Sequence, residues 1–210
     1  MNKYRWIIGI DPDTDKSGVA MLDTEKKVMV SIDSLTFPEL MKCFSKTLPD
    51  HGYTKEDLLI VVEDSWTGNE HIFRKESGYK SGVNARMGYD VGRCHEVGRL
   101  IIAMGEHYGL NIVGKKALRK TWSGPDKKIT QKEIAYFIPC WPTRANQEQR
   151  DAALLAWNEA MLPIKLDLRT ANAERTVAAT RKGAKIMKAD MVEQTTAEAR
   201  ATLDKILKGA

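Results

Sequence analysis

Cysteine and histidine are scarce, at 3 and 4 among 210 residues. Cys43, Cys94 and Cys140 are widely spaced and form no C-x-x-C pair. That excludes a disulfide framework and a zinc knuckle, and it fits a reducing, cytoplasmic setting. His51, His71, His95 and His107 share no metal-ligand spacing. Long apolar runs are missing: none approaches the ~20 residues of a membrane span, so no membrane partner is expected. The opening MNKYRWIIGID reaches Asp11 too soon for a signal peptide. No G-x-x-x-x-G-K-[ST] phosphate loop is present, nor any motif for Ser-His-Asp catalysis, internal repeat or low-complexity tract. Charge of one sign is only mildly in excess, 33 Lys plus Arg against 28 Asp plus Glu, which permits a nucleic-acid partner without requiring one. A hydrophobic share of 42% and a charged share of 29% describe an ordinary globular chain and exclude global disorder.

What is there begins with strands. Residues 5–10 form a β-rich apolar run ending at Asp11, the turn formers of 12–18 follow, and 19–22 and 28–34 resume the pattern as a meander. Residues 37–47 have helical spacing and stop at Pro49. Residues 58–62, Leu-Leu-Ile-Val-Val, read as a strand buried on both faces that ends at Glu63 and Asp64. A polar stretch over 65–82 is long for an inert connection. Residues 84–107 read as a long helix with Met87, Val91, Cys94, Ile101 and Met104 near one stripe, although Gly88, Gly92, Gly98 and Gly105 interrupt it. A short strand at 110–113, a basic cluster (Lys115, Lys116, Arg119, Lys120), and helices at 129–138 and 147–162 complete the pattern. The order β-β-β-α-β-α-β-α-α predicts an α/β domain over residues 1–162, a mixed five-stranded sheet flanked by helices. Pro163 marks a boundary, and residues 163–210, rich in Ala, Lys, Glu and Thr without an aromatic, predict a basic helical C-terminal extension.

Four acids stand out by position. Asp11 and Glu63 end the first and fourth strands, where open α/β sheets gather their ligand sites. Glu148 and Asp151 lie three apart on one face of the last core helix, behind a capping-box-like start at Asn146 and Gln149. If that helix crosses the sheet edge, four carboxylates converge and repel one another unless cations sit among them. Carboxylate oxygens without paired thiols suit hard ions, Mg²⁺ with Mn²⁺ as a substitute. Two such ions roughly 3.5–4 Å apart can activate water and stabilise the leaving oxygen of a phosphodiester.

Ile8-Gly9-Ile10-Asp11-Pro12 with Ser17-Gly18-Val19-Ala20, then Val61-Val62-Glu63-Asp64-Ser65-Trp66, then Gln147-Glu148-Gln149-Arg150-Asp151-Ala152-Ala153-Leu154 resemble, in order, the three acidic blocks of RuvC-type Holliday junction resolvases of the RNase H-like superfamily. The resemblance spans residues 6 to about 160. The chain has Asp13 where the family usually has glycine, and Glu148 where it often has Asp or His. A phage- or prophage-type divergent member is one origin consistent with this.

The resemblance implies an RNase H-like fold and a homodimer cutting opposed strands of a four-way DNA junction with Mg²⁺. Asp11, Glu63, Glu148 and Asp151 would hold the ions, and Trp66 would stack on an unpaired base. Arg119 or Lys120, and Lys128 or Lys127, match the family's phosphate-contacting lysines; Arg74 and Lys75 sit among Phe73 and Tyr79 as junction contacts often do. The 84–107 helix is the candidate two-fold contact. Branch-migration machinery is a candidate partner. Rival readings are a YqgF-like or general branched DNA or RNA nuclease, a non-cleaving junction-binding architectural protein, and an ATP-binding actin-like protein, for which the chain is short.

Overall fold

The computed structural model describes residues 3–67, 81–119 and 121–164. Arg74, Lys75 and Lys120, and all of the expected extension beyond Ile164, lie outside the described residues.

Five strands, β1 (Trp6–Asp11), β2 (Ser17–Asp23), β3 (Val28–Leu35), β4 (Leu58–Asp64) and β5 (Ile112–Lys116), form one sheet in the order β3-β2-β1-β4-β5. The β1-β2-β3 meander is antiparallel, while β1-β4 and β4-β5 are parallel. This is the mixed five-stranded α/β sheet, flanked by helices, that the element order predicts. Parallel pairing aligns the chain directions of β1 and β4, so their C-terminal residues Asp11 and Glu63 emerge at the same sheet edge. The continuous apolar run of β4 follows from its central place, with both faces covered.

Side chains alternate across the sheet. Ile7, Ala20, Leu22, Leu59 and Val61 join one core with α4 (Gln131–Phe137) and α5 (Gln147–Glu159). Ile8, Ile10, Val19, Ile60 and Val62 join the other, under α1 (Phe37–Lys42) and α3 (Ser81–His107). Each fully buried Ile or Leu contributes about 1.5–3 kcal/mol of transfer free energy.

Several boundaries differ from expectation. The 37–47 helix does not stop at Pro49: after α1 a π-helical stretch, Cys43–Thr47, leads into a last turn, α2 (Leu48–Asp50). Pro49 sits within this last turn and does not end the helix before it. Strand β5 takes in Lys115 and Lys116 because they continue the parallel register opposite Glu63 and Asp64. Helix α4 starts after Thr130, whose side chain accepts from the Glu133 N–H and sets the cap. The apolar stripe of α3 is core only in its second half: Ile101 is buried, but Met87 is 47% and Val91 44% exposed.

Candidate active site

Two glycines let α5 reach the sheet. A Cβ on Gly9 of β1 would stand 2.1 Å from the Ala152 carbonyl oxygen, and one on Gly18 of β2 would stand 2.1 Å from the Glu148 carbonyl oxygen. Both obstacles are backbone, so no rotamer change would relieve them. The helix answers with small residues: Ala152, Ala153 and Ala156 are fully buried. Its N-terminus is fixed by Asn146, whose side chain accepts from the Gln149 N–H at 2.8 Å while Gln149 accepts from the Asn146 N–H at 2.9 Å. The expected capping box is thus present, and Glu148 and Asp151 are carried to the edge where Asp11 and Glu63 emerge.

Asp11, Glu63 and Asp151 line one small cavity of about 60 Å³, together with Lys128 and Arg119, against an apolar wall that includes Trp122 and Leu154. That volume admits a few water-sized groups and no nucleotide. A larger open hollow of about 470 Å³ lies where the α4–α5 connection meets α5, at Gln131, Arg144 and Asn146, and has no carboxylate in its lining. The site is assigned to the smaller cavity because that is where the titratable groups meet.

The same groups act on one another electrostatically. Burial pushes the Asp11 carboxyl well above the usual carboxylate range, and the charges of Glu63, Asp151 and Glu148 push it the same way; Lys128 opposes them. The Lys128 ammonium stands 3.4 Å from Asp151 Oδ2. Burial works to lower the Lys128 pKa, but the charges of Asp151, Asp11 and Glu148 outweigh it and the net shift is upward. Asp151 also accepts from Gln147 Nε2 at 2.8 Å. Glu148 acts on the cluster through its charge but does not line the cavity.

The donor set consists of carboxylate oxygens, which fits a hard divalent ion. The ammonium of Lys128 stands against Asp151, while Arg119 also lines the cavity. Among the described residues, no three acidic, histidine or cysteine side chains stand close enough to hold a single ion as they are arranged. The fit therefore lies in the donor chemistry, and closing on an ion requires the carboxylates to turn toward it.

Of the other expected residues, Arg119 lines the cavity and is exposed, while Lys127 is exposed and does not line it. Trp66 is part-buried with its six-membered ring against Gly98 of α3: a Cβ there would lie 2.4 Å from Trp66 Cζ3 and 3.2 Å from Pro12 Cγ. The Arg99 guanidinium lies 5.8 Å from the Trp66 ring and the His95 ring 6.3 Å away. Sequence reasoning missed Gln147, Trp122 and the role of Gly9 and Gly18 as close-approach points; the glycines flanking Asp11 were the available signal.

No protein-family model and no curated protein matches the sequence. Among solved structures, the chain is similar to Thermus thermophilus RuvC in complex with a Holliday junction substrate, at 12% identity and a TM-score of 0.47, covering 73% of this chain and 90% of that one. It is also similar to a structure of Thermus thermophilus RuvC described without a substrate, at 10% identity and a TM-score of 0.44, covering 72% of this chain and 90% of that one.

Proposed function

We propose that this protein is a divalent-cation-dependent, structure-selective endonuclease that resolves four-way DNA junctions by paired nicks, as a homodimer. The observation that carries the reading is the meeting of Asp11, Glu63 and Asp151 at one small cavity, drawn from three distant segments, with Glu148 in the same field. A protein without an ionic ligand gains nothing from sinking mutually repelling carboxylates at a sheet edge.

In this mechanism Asp11, Glu63, Glu148 and Asp151 would hold Mg²⁺ or Mn²⁺, and the ion would supply activation of water and charge stabilisation at a phosphodiester. Lys128 supplies a positive charge on the same cavity and would meet a non-bridging phosphate oxygen as it leaves Asp151. Arg119 at the cavity and the exposed Lys127 would neutralise neighbouring phosphates, with Arg74, Lys75 and Lys120 joining them on sequence grounds; each phosphate neutralised steepens the salt dependence of binding. Trp66 would stack on a base with the part of its ring that α3 leaves open. The exposed Val83, Met87, Tyr89 and Val91 of α3 would form the two-fold contact.

One observation favours a second reading, a junction-binding protein that does not cut: Lys128 already compensates Asp151 from within. Labelled four-way junction, linear duplex and a flap, incubated with Mg²⁺ and either wild type or Asp151→Asn, separate the two. Symmetric nicks in the junction alone, lost in the variant, are the expected result. Equal cutting of the flap would widen the substrate to branched DNA. Tight binding with no cutting in Mg²⁺ or Mn²⁺ would leave the architectural reading.

A further inference from the structure

The residue that reaches the acidic cluster as its cation follows a single 3-10 turn, Pro125–Lys127, in the loop between β5 and α4, and that turn is unusually constrained. Asp126 (φ 51°) and Lys127 (φ 56°) are consecutive non-glycine residues in the left-handed region, which side chains with a Cβ rarely occupy. The turn closes on itself: the Trp122 N–H donates to the Lys127 carbonyl at 3.1 Å and the Gly124 N–H to the Lys128 carbonyl at 3.1 Å. Gly124 has no room for a side chain, because a Cβ there would lie 2.4 Å from the Lys128 carbonyl oxygen. A backbone held in this form needs outside restraint.

Glu133 provides it. Its residue is buried, at 9% exposure, on the first turn of α4. Oε2 accepts from the Thr130 N–H at 2.9 Å and the Thr130 hydroxyl at 2.8 Å, as a capping box requires. Oε1 does something a cap does not need: it accepts from the Ser123 N–H at 2.9 Å, ten residues upstream. One carboxylate thus ties the two ends of the 123–130 loop together. Burial works to raise its pKa, but the hydrogen bonds from Thr130 and Ser123 outweigh it and hold it below the usual range.

The far side of the loop is tied to α5. Arg150 Nε donates to the Ile129 carbonyl at 3.1 Å, and Arg150 Nη2 donates to Gln147 Oε1 at 2.7 Å. Gln147 in turn donates to Asp151, the partner of Lys128. The circuit Lys128–Asp151–Gln147–Arg150–Ile129 closes on itself, and Glu133 fixes the loop from outside it. We propose that Glu133 is a positioning residue: by latching Ser123 to Thr130 it holds the strained loop that presents Lys128 to the carboxylate cavity. This rests on the nuclease reading for its effect on cleavage, but the latch itself does not.

The test uses the full chain and the variants Glu133→Gln, Lys128→Ala and their double. Gln keeps one oxygen for the Thr130 cap and loses an acceptor, so α4 should persist. E133Q should cut the junction about tenfold more slowly under single turnover, as loss of an outer partner of a site commonly does, with junction affinity within about twofold of wild type. The double variant should be no slower than K128A alone; a double slower by the full E133Q factor would show that Glu133 acts independently of Lys128 and overturn the proposal. Limited trypsin digestion reads the latch without catalysis: cleavage after Lys127 and Lys128 should accelerate in E133Q while the melting temperature holds. Equal resistance in E133Q and wild type would overturn the latch. Gly124→Ala disturbs the same loop while leaving Glu133 itself unchanged, its Cβ meeting the Lys128 carbonyl and the Thr130 methyl; a loosened loop with unchanged cleavage would also overturn the proposal. If wild type cuts no junction, the nuclease reading fails while the trypsin comparison still decides the latch.

Discussion

The two faces of the sheet are packed in different ways. Toward α5 the contact is backbone against backbone, through Gly9 and Gly18 and the buried alanines of the helix. Toward α1 and α3 it is side chain against side chain, with Phe44, Leu40, Ile60 and Ile101 fully or almost fully buried. A side-chain contact can absorb a change by repacking, whereas a contact between main chains has no slack. The candidate site lies at the edge of the tight face, where Asp151 and Asp11 come from elements whose spacing is fixed by the absence of a Cβ. The looser face carries α3, whose first half extends away from the core.

Four predictions probe this contrast. The largest effect belongs to Asp11→Asn: cleavage of a four-way junction should fall about a thousandfold, equivalent to ~4 kcal/mol of transition-state stabilisation. Junction binding in a gel-shift titration should survive, and loss of both would mean that the tight face itself had collapsed. Next comes Gly18→Ala, expected to cost about 3 kcal/mol in urea unfolding and to reduce cleavage, because α5 must lift off β2 to free the Glu148 carbonyl from the new methyl. A variant as stable as wild type would remove the distinction between the faces. On the opposite face, Phe44→Leu should cost about 1–2 kcal/mol and leave the cleavage rate within about twofold; a loss of activity there would show that the loose side also sets the site.

The smallest effect is one of pH. Asp11 has a raised pKa in the folded chain, so the folded state holds its proton more tightly than the unfolded state does. Its contribution therefore favours folding at low pH and is lost as pH rises from the usual carboxylate range through the raised value. With divalent ions chelated, melting temperature plotted against pH should show this falling component. Asp11→Asn should remove it, and identical curves for the two proteins would contradict the burial of that carboxyl.

Much of the arrangement was legible in the sequence, for identifiable reasons. The unbroken run at 58–62 marks a central strand, and the acids that follow it and follow β1 fall at one edge once the strands are parallel. The i, i+3 spacing of Glu148 and Asp151 placed both on one helix face. What was not legible depends on the third dimension. Lys127 and Lys128 are adjacent and alike in sequence; only Lys128, following the left-handed residues Asp126 and Lys127, pairs with Asp151. Glu133 reads as a simple cap until its second oxygen is seen on Ser123. Trp66 sits in a polar run and reads as free, yet Gly98, 32 positions later, leaves a seat for its ring.

The placement of α5 also has a consequence for how the chain is made. The helix that covers β1 and β2 is the last described element, while those strands are the first. At ~5–20 residues per second, ribosomal synthesis of the intervening chain takes about ten seconds. Through that interval the grooves at Gly9 and Gly18 stay bare, and Asp11 has neither Asp151 nor Lys128 beside it. An unfinished polypeptide therefore cannot assemble the acidic cavity, and any cutting power it confers is withheld until the closing helix has been translated and docked.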